Sequence, residues 1–249
     1  MVKSIHLHST ENILQRNRKN KNMSKKKLVI LSGAGVSAES GIKTFRDSDG
    51  LWEEHRVEDV ATYDAWLRNP DLVQDFYNQR RAQLATVAPN RAHFIIAELE
   101  QNFEVIVITQ NVDDLHERAG STQVVHLHGE LIKARSEKNE YLITDIGYNQ
   151  LKKGDKAEDG AQLRPHIVWF GEAVPMMETA VSLVSDADII VIIGTSMQVY
   201  PAAGLIHYAP KGAEIYYIDP NAKSIPYLAN IKLIKEKATV GMEQLKAML

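Results

Sequence analysis

Leu28-Val29-Ile30-Leu31-Ser32-Gly33-Ala34-Gly35-Val36-Ser37-Ala38-Glu39-Ser40-Gly41 is the stretch whose reading decides the fold. A short apolar run stops at a glycine-rich turn, the pattern of a buried strand feeding a tight loop. Glycines after a strand let the backbone approach a pyrophosphate, whose charge is met by amides at a helix N-terminus. The spacing departs from G-x-G-x-x-G, the third glycine being displaced to Gly41. Taken alone, a tight turn with no ligand satisfies the stretch equally well.

On either side of it the same alternation continues. Strands are expected at Phe103–Thr109, Gln123–Leu127, His166–Phe170, Ile189–Ile193, Ala213–Asp219 and Ile231–Lys235. Helices are expected over Asp71–Val87, with Pro70 just ahead, and over Arg91–Glu100, Met176–Ala187 and Val240–Leu249. Strands alternating with helices imply β-α-β units, and continuous apolar strands imply a sheet covered on both faces. The fold expected is α/β, a doubly wound Rossmann-like parallel sheet. Between Ser136 and Leu163 the pattern turns polar and Lys-rich, strand-poor after Tyr141–Ile146. Residues 136–163 therefore read as the core of a small inserted module.

The composition is that of an ordinary globular chain: 249 residues, 44% hydrophobic and 24% charged. No apolar run approaches the roughly 20 residues of a membrane span. There are no cysteines, which excludes disulfides, thiolate zinc ligands and a cysteine nucleophile and fits a reducing, cytoplasmic setting. Residues 1–27 hold eight Lys/Arg against one acid, while the whole chain is −3. The acidic remainder argues against binding nucleic acid phosphates. The basic head, residues 1–26, lacks the apolar core of a secretory signal. With Met23 just ahead of Lys25–Lys27, it reads as an upstream, disordered extension.

Several polar clusters sit where ligands usually bind. Thr44-Phe45-Arg46-Asp47 and Gly50-Leu51-Trp52 suit a mobile lid over an anion, or an exposed loop anchored by its aromatics. Gln110-Asn111-Val112-Asp113 ends a predicted strand, at the usual ligand crevice of such sheets or as a helix cap. Gly194-Thr195-Ser196 and Asp219-Pro220-Asn221 end two others in the same manner. His126 and His128, two apart in a strand, point the same way. One of them suits a general base near neutral pH; a metal pair is the rival reading.

Together these pieces resemble the sirtuin family. Gly33 through Ile42, Thr44-Phe45-Arg46, Thr109 through Asp113, His128-Gly129, Arg164 through Glu172 and Gly194-Thr195-Ser196 stand in family order, from about Lys27 to the C-terminus. The resemblance implies a catalytic domain over 27–249, with 42–87 forming a cofactor lid and helical module. It implies NAD as cofactor, with Gly33, Ala34, Gly35, Glu39, Thr44, Phe45, Arg46 and Trp52 in the dinucleotide turn and lid. Gln110, Asn111 and Asp113 would line the nicotinamide and ribose pocket. Gly194, Thr195, Ser196, Asp219, Pro220, Asn221 and Ala238 would hold the adenosine half. The catalytic pair implied is His128 and Asn111, with His128, not His126, as general base. An acyl-lysine protein or peptide would add as an extended strand between Val168, Phe170, Gly171, Glu172 and the Val199-Tyr200 segment. The implied products are free lysine, nicotinamide and O-acyl-ADP-ribose.

Two features refine the resemblance. Tyr77 and Arg80 share a helix face and match the Tyr-x-x-Arg pair of sirtuins that take malonyl, succinyl or glutaryl groups. A guanidinium fork and a phenol suit a terminal carboxylate; the alternative is a surface helix with Arg80 and Arg81 solvated. Most members hold a structural zinc with four cysteines, whereas Ser136 stands at the first of those places and no cysteine exists, so no zinc is expected. The expected enzyme is a monomeric NAD-dependent deacylase preferring succinyl and malonyl over acetyl, without nucleic-acid or membrane partners. Transfer of ADP-ribose to a protein and a non-catalytic NAD-sensing module are the rivals, and the retained His128 favours deacylation.

Overall fold

The structure, a computed structural model, describes residues 25–43, 51–52, 55–226, 228 and 230–249. The basic head up to residue 24 lies outside them. Six strands form the central parallel sheet: β1 (Lys27–Ser32), β2 (Glu104–Thr109), β3 (Val124–His126), β4 (Ile189–Ile193), β5 (Glu214–Ile218) and β6 (Ile231–Ile234). Their spatial order is β6-β5-β4-β1-β2-β3. That is the order of a dinucleotide-binding sheet, in which the chain reverses direction of travel between β1 and β4. In register, Leu28 pairs with Val105 on one side and Ile189 on the other.

Continuous apolar strands are needed because both faces are covered. One side of β1, β2 and β4 (Leu28, Ile30, Val105, Val107, Val191) packs on Ile95, Ile96, Met242 and Leu245 of helices Arg91–Leu99 and Ala238–Met248. The other side (Val29, Leu31, Ile106, Ile108, Ile192) packs on Ala180 and Val184 of helix Met177–Val184 and on the 3-10 segment Ala202–Tyr208. Among the described residues no helix is long and apolar enough to cross a membrane.

A separate antiparallel sheet joins Ile143–Asp145, Gly129–Ser136 and Leu163–Ile167 in that order. Here the structure departs from the expected elements. The strand anticipated at His166–Phe170 runs over Leu163–Ile167 and belongs to this small sheet, paired with Gly129–Ser136. The latter strand has no periodic apolar signal, because Lys133 and Arg135 interrupt it and are paired with Glu130 and Glu172. The helix expected at Asp71–Val87 spans Pro70–Leu84, capped by Asn69 and ended where the Thr86 hydroxyl bonds the Gln83 carbonyl. Behind the glycines the chain makes two 3-10 turns, Ala34–Val36 and Ala38–Ser40, rather than an α-helix.

Helix Pro70–Leu84 binds the small sheet to the rest. Arg81, not solvated but fully buried, donates from Nε to the Leu131 carbonyl at 2.7 Å, and burial lowers its pKa to about 10. Asn78 exchanges two bonds with the Leu151 backbone, at 2.8 and 2.9 Å.

Candidate active site

Two turns touch where the sheet order reverses. Gly33 N donates to the Ile193 carbonyl at 3.0 Å, and Gly35 N to that of Gly194 at 2.8 Å. A Cβ on Gly35 would lie 2.7 Å from Gly194 Cα, while Gly194 itself holds φ +62 and a Cβ there would meet Val36 N at 2.3 Å. Side chains are thereby excluded, and the floor beyond the strand ends is bare main chain, the surface a pyrophosphate requires.

Above this floor opens a cleft of about 770 Å³, toward the upper end of the roughly 300–1,000 Å³ of small-molecule sites. Its walls include Gly33, Ala34, Gly35, Glu39, Gln110, Asn111, Asp113, Gly194, Thr195, Ser196, Asp219, Pro220, Asn221 and Ala238. His128, Tyr77, Val168, Phe170, Gly171, Glu172, Val199 and Tyr200 line the same cleft. Phe170, Val199 and Tyr200 are exposed at 49%, 38% and 69%, leaving apolar surface where an extended peptide would lie. Arg80 is not in the wall; its guanidinium lies 5.4 Å from the Phe76 ring centroid. Thr44, Phe45, Arg46 and the Trp52 side chain lie outside the described residues.

The amide of Asn111 donates from Nδ2 to Ser37 Oγ at 3.0 Å, and Ser37 in turn donates to Asp113 Oδ2 at 3.0 Å. Asp113 Oδ1 accepts from Leu115 N at 3.2 Å. Burial raises the Asp113 pKa to about 6, against the opposing pull of those two bonds. Ser37 is thus the pivot that aims both cleft residues, a role the sequence did not single out although Ser37 sits inside the glycine motif. Gln110 Nε2 donates to Thr195 Oγ1 at 3.2 Å, tying the β2 turn to the β4 turn.

Hydrogen bonding separates the two histidines. A carbonyl only accepts, so His128 Nδ1, 3.0 Å from the Gln110 carbonyl, bears the proton. That leaves the Nε2 lone pair as the base, and burial depresses the His128 pKa, keeping the ring neutral. His126 is held at both nitrogens, by the Asn111 carbonyl at 3.0 Å and by Glu117 at 2.7 Å. Burial pulls its pKa down, but the Glu117 bond and charge outweigh that and raise it. A ring that donates from both nitrogens has no base to offer.

Two carboxylates in the cleft wall are already committed to protein. Glu39 accepts from Thr239 N and Oγ1, each at 3.0 Å, which ties the glycine turn to the C-terminal helix. Glu172 accepts from Arg164 at 2.7 and 3.0 Å, from Arg135 at 3.2 and 3.3 Å, and from Trp169 N at 2.8 Å. Any contact of Glu172 with a peptide is therefore left to its main chain.

The small module does not offer the donors of a four-thiolate zinc site. Ser136 donates to Asp159 Oδ2 at 2.7 Å and accepts from the amides of Lys138 and Asn139 at 3.1 and 3.2 Å. Ala134, Leu151, Ala157 and Leu163 make a small core beneath it. Elsewhere among the described residues, Glu117, His126 and Glu130 bring ligand-type atoms within 4.8 Å, but Lys133 occupies Glu130 and Glu117 holds His126.

The Sir2 family profile matches residues 33–201. An NAD-dependent protein deacylase of Bacteroides thetaiotaomicron is 57% identical over 229 residues, 90% of this chain and 98% of that protein. One of Helicobacter pylori is 58% identical over 220 residues, covering 88% and 96% respectively. A solved Sir2 homologue in complex with NAD superposes with a TM-score of 0.79 at 39% identity, covering 90% of this chain and 89% of that one.

Proposed function

This chain belongs to the Sir2 family and is an NAD-dependent protein deacylase, and from that premise we propose that it prefers acidic acyl groups, succinyl and malonyl, over acetyl. The observation that carries the reading is the placement of the buried Tyr77 in the wall of the cleft that also holds His128. Bound NAD supplies an electrophilic sugar carbon with nicotinamide as leaving group and is consumed in the reaction.

The chain's own residues do the rest. The Gly33–Gly35 and Gly194 turns receive the dinucleotide phosphates on backbone, and Thr195, Ser196 and Asp219 to Asn221 flank its adenosine side. Asn111 and Asp113, aimed by Ser37, present an amide and a carboxyl to the nicotinamide end. His128 Nε2 accepts a proton from a sugar hydroxyl, and the Gln110 carbonyl stabilises the charged ring through Nδ1. The peptide lies between Phe170-Gly171-Glu172 and Val199-Tyr200. Its acyl chain points to Tyr77, and Arg80, three residues on in the same helix, turns from the Phe76 face to meet the carboxylate.

The test is parallel kinetics with succinyl-, malonyl- and acetyl-lysine peptides and NAD, followed by mass spectrometry. The expected result is a higher kcat/KM for the acidic acyl groups and O-acyl-ADP-ribose as co-product. Equal or higher efficiency on acetyl peptide overturns the preference, and ADP-ribose appearing on protein identifies a transferase instead.

A further inference from the structure

Trp169 lies between the peptide-binding turn and the acyl pocket and takes no part in the chemistry at His128. It is 2% exposed and held on three sides. Its main-chain N donates to Glu172 Oε2 at 2.8 Å, and the Arg164 guanidinium lies 3.5 Å over its ring centroid. Its indole Nε1 donates to the Tyr77 hydroxyl at 3.0 Å.

The direction of that last bond has a chemical consequence. An indole N–H can only donate, so the phenol oxygen must accept, and its own proton points away from Trp169. Burial pushes the Tyr77 pKa well up, so the phenol keeps that proton across the physiological range. Tyr77 has two ways to present its oxygen at a buried site, as donor or as acceptor. Only the donor orientation attracts a carboxylate; the acceptor orientation repels it. An acetyl methyl is indifferent to the choice.

We propose that Trp169 is a positioning residue for acyl selectivity: its indole N–H fixes the Tyr77 hydroxyl as a donor, and the Arg164–Glu172 pair holds the indole in place. This rests on the acidic-acyl reading. It adds a residue outside the Tyr-x-x-Arg pair and makes the selectivity depend on a bond that touches no substrate. It also links the two halves of substrate recognition, since the carboxylate that anchors Trp169 N sits in the turn against which the peptide would pair.

The test is the ratio of kcat/KM for succinyl over acetyl peptide in wild type, Trp169→Phe, Tyr77→Phe and the double variant. A hydrogen bond to a charged group is worth about tenfold or more in such a ratio. Tyr77→Phe is expected to lower it by about tenfold and Trp169→Phe by roughly three- to tenfold. Adding Trp169→Phe to Tyr77→Phe is expected to change it by less than about twofold, because two residues acting through one bond are not additive. Since Trp169→Phe removes buried volume, the same ratio is measured with Trp169 replaced by benzothienylalanine, which keeps the ring shape and lacks the N–H. An unchanged ratio in that isostere, or a full further loss in the Tyr77→Phe background, overturns the inference while wild-type selectivity leaves the acidic-acyl reading standing. A wild-type ratio at or below one defeats that reading, and the inference with it.

Discussion

Asp113 is held in the cleft at a cost to stability that can be measured. The residue is 5% exposed and its pKa rises from 3.8 to about 6 on folding. A raised acid is favoured in the folded state only when protonated. Its contribution is fully present below 3.8 and is lost as pH climbs through about 6. A rise of that size corresponds to about 3 kcal/mol of destabilisation once the pH exceeds roughly 6. Asp113→Asn has the same shape and no charge, and it forfeits about 1 kcal/mol because an amide nitrogen cannot accept from Ser37 or Leu115 as a carboxylate does. The net expectation is about 2 kcal/mol of added stability at about pH 8. In a chain of this size that is roughly 4–8 °C in Tm. The gain should fall below about half by roughly pH 5 and vanish at about pH 4.5, as the unfolded carboxyl approaches protonation as well. Thermal denaturation by circular dichroism, without ligand, across this pH range reads the difference directly. A variant no more stable than wild type in mild alkali, or equally stabilised at every pH, refutes the argument that burial dominates at this carboxylate. The same variant should lose deacylase activity, since the group that destabilises the fold lines the cleft proposed to bind NAD.

Three other outcomes follow from the geometry. Gly194→Ala must place a Cβ 2.3 Å from Val36 N at φ +62, so it should abolish NAD binding in calorimetry and lower Tm by several degrees. Ring titrations by NMR should place His126 above and His128 below the ordinary 6.5, assigned with His126→Asn and His128→Asn; the reverse order would remove His128 as the neutral base. Ser136→Ala deletes a donor and an acceptor shared among Asp159, Lys138 and Asn139, which should cost about 1–3 kcal/mol. Hydrogen exchange should quicken across 136–163 and not across β1, β2 and β4, and addition of zinc should not restore protection.

The central sheet was legible because its strands are apolar on both faces, a local pattern that survives in one dimension. The same holds for the polar residues that end each strand, since a parallel sheet puts all of those ends on one side. The Gly129–Ser136 strand was not legible, because Lys133 and Arg135 read as surface until Glu130 and Glu172 are seen beside them. Arg81 is the same case: a second arginine in a row on a helix looks solvated, yet it is buried against the Leu131 carbonyl.

What the amino-acid order determined by itself was the class of fold, the glycine turn and many of the groups that line the cleft. Backbone conformational limits and apolar periodicity act between near neighbours and need no partner to be read. Which strands adjoin, why Gly33 and Gly35 must yield to Gly194, which histidine nitrogen keeps a lone pair and which way the Tyr77 hydroxyl points were decided only by tertiary structure. Each of those depends on a carbonyl, carboxylate or indole brought from far along the chain. Hydrogen-bond direction and charge pairing act over about 3 Å of space, a separation that sequence distance does not encode.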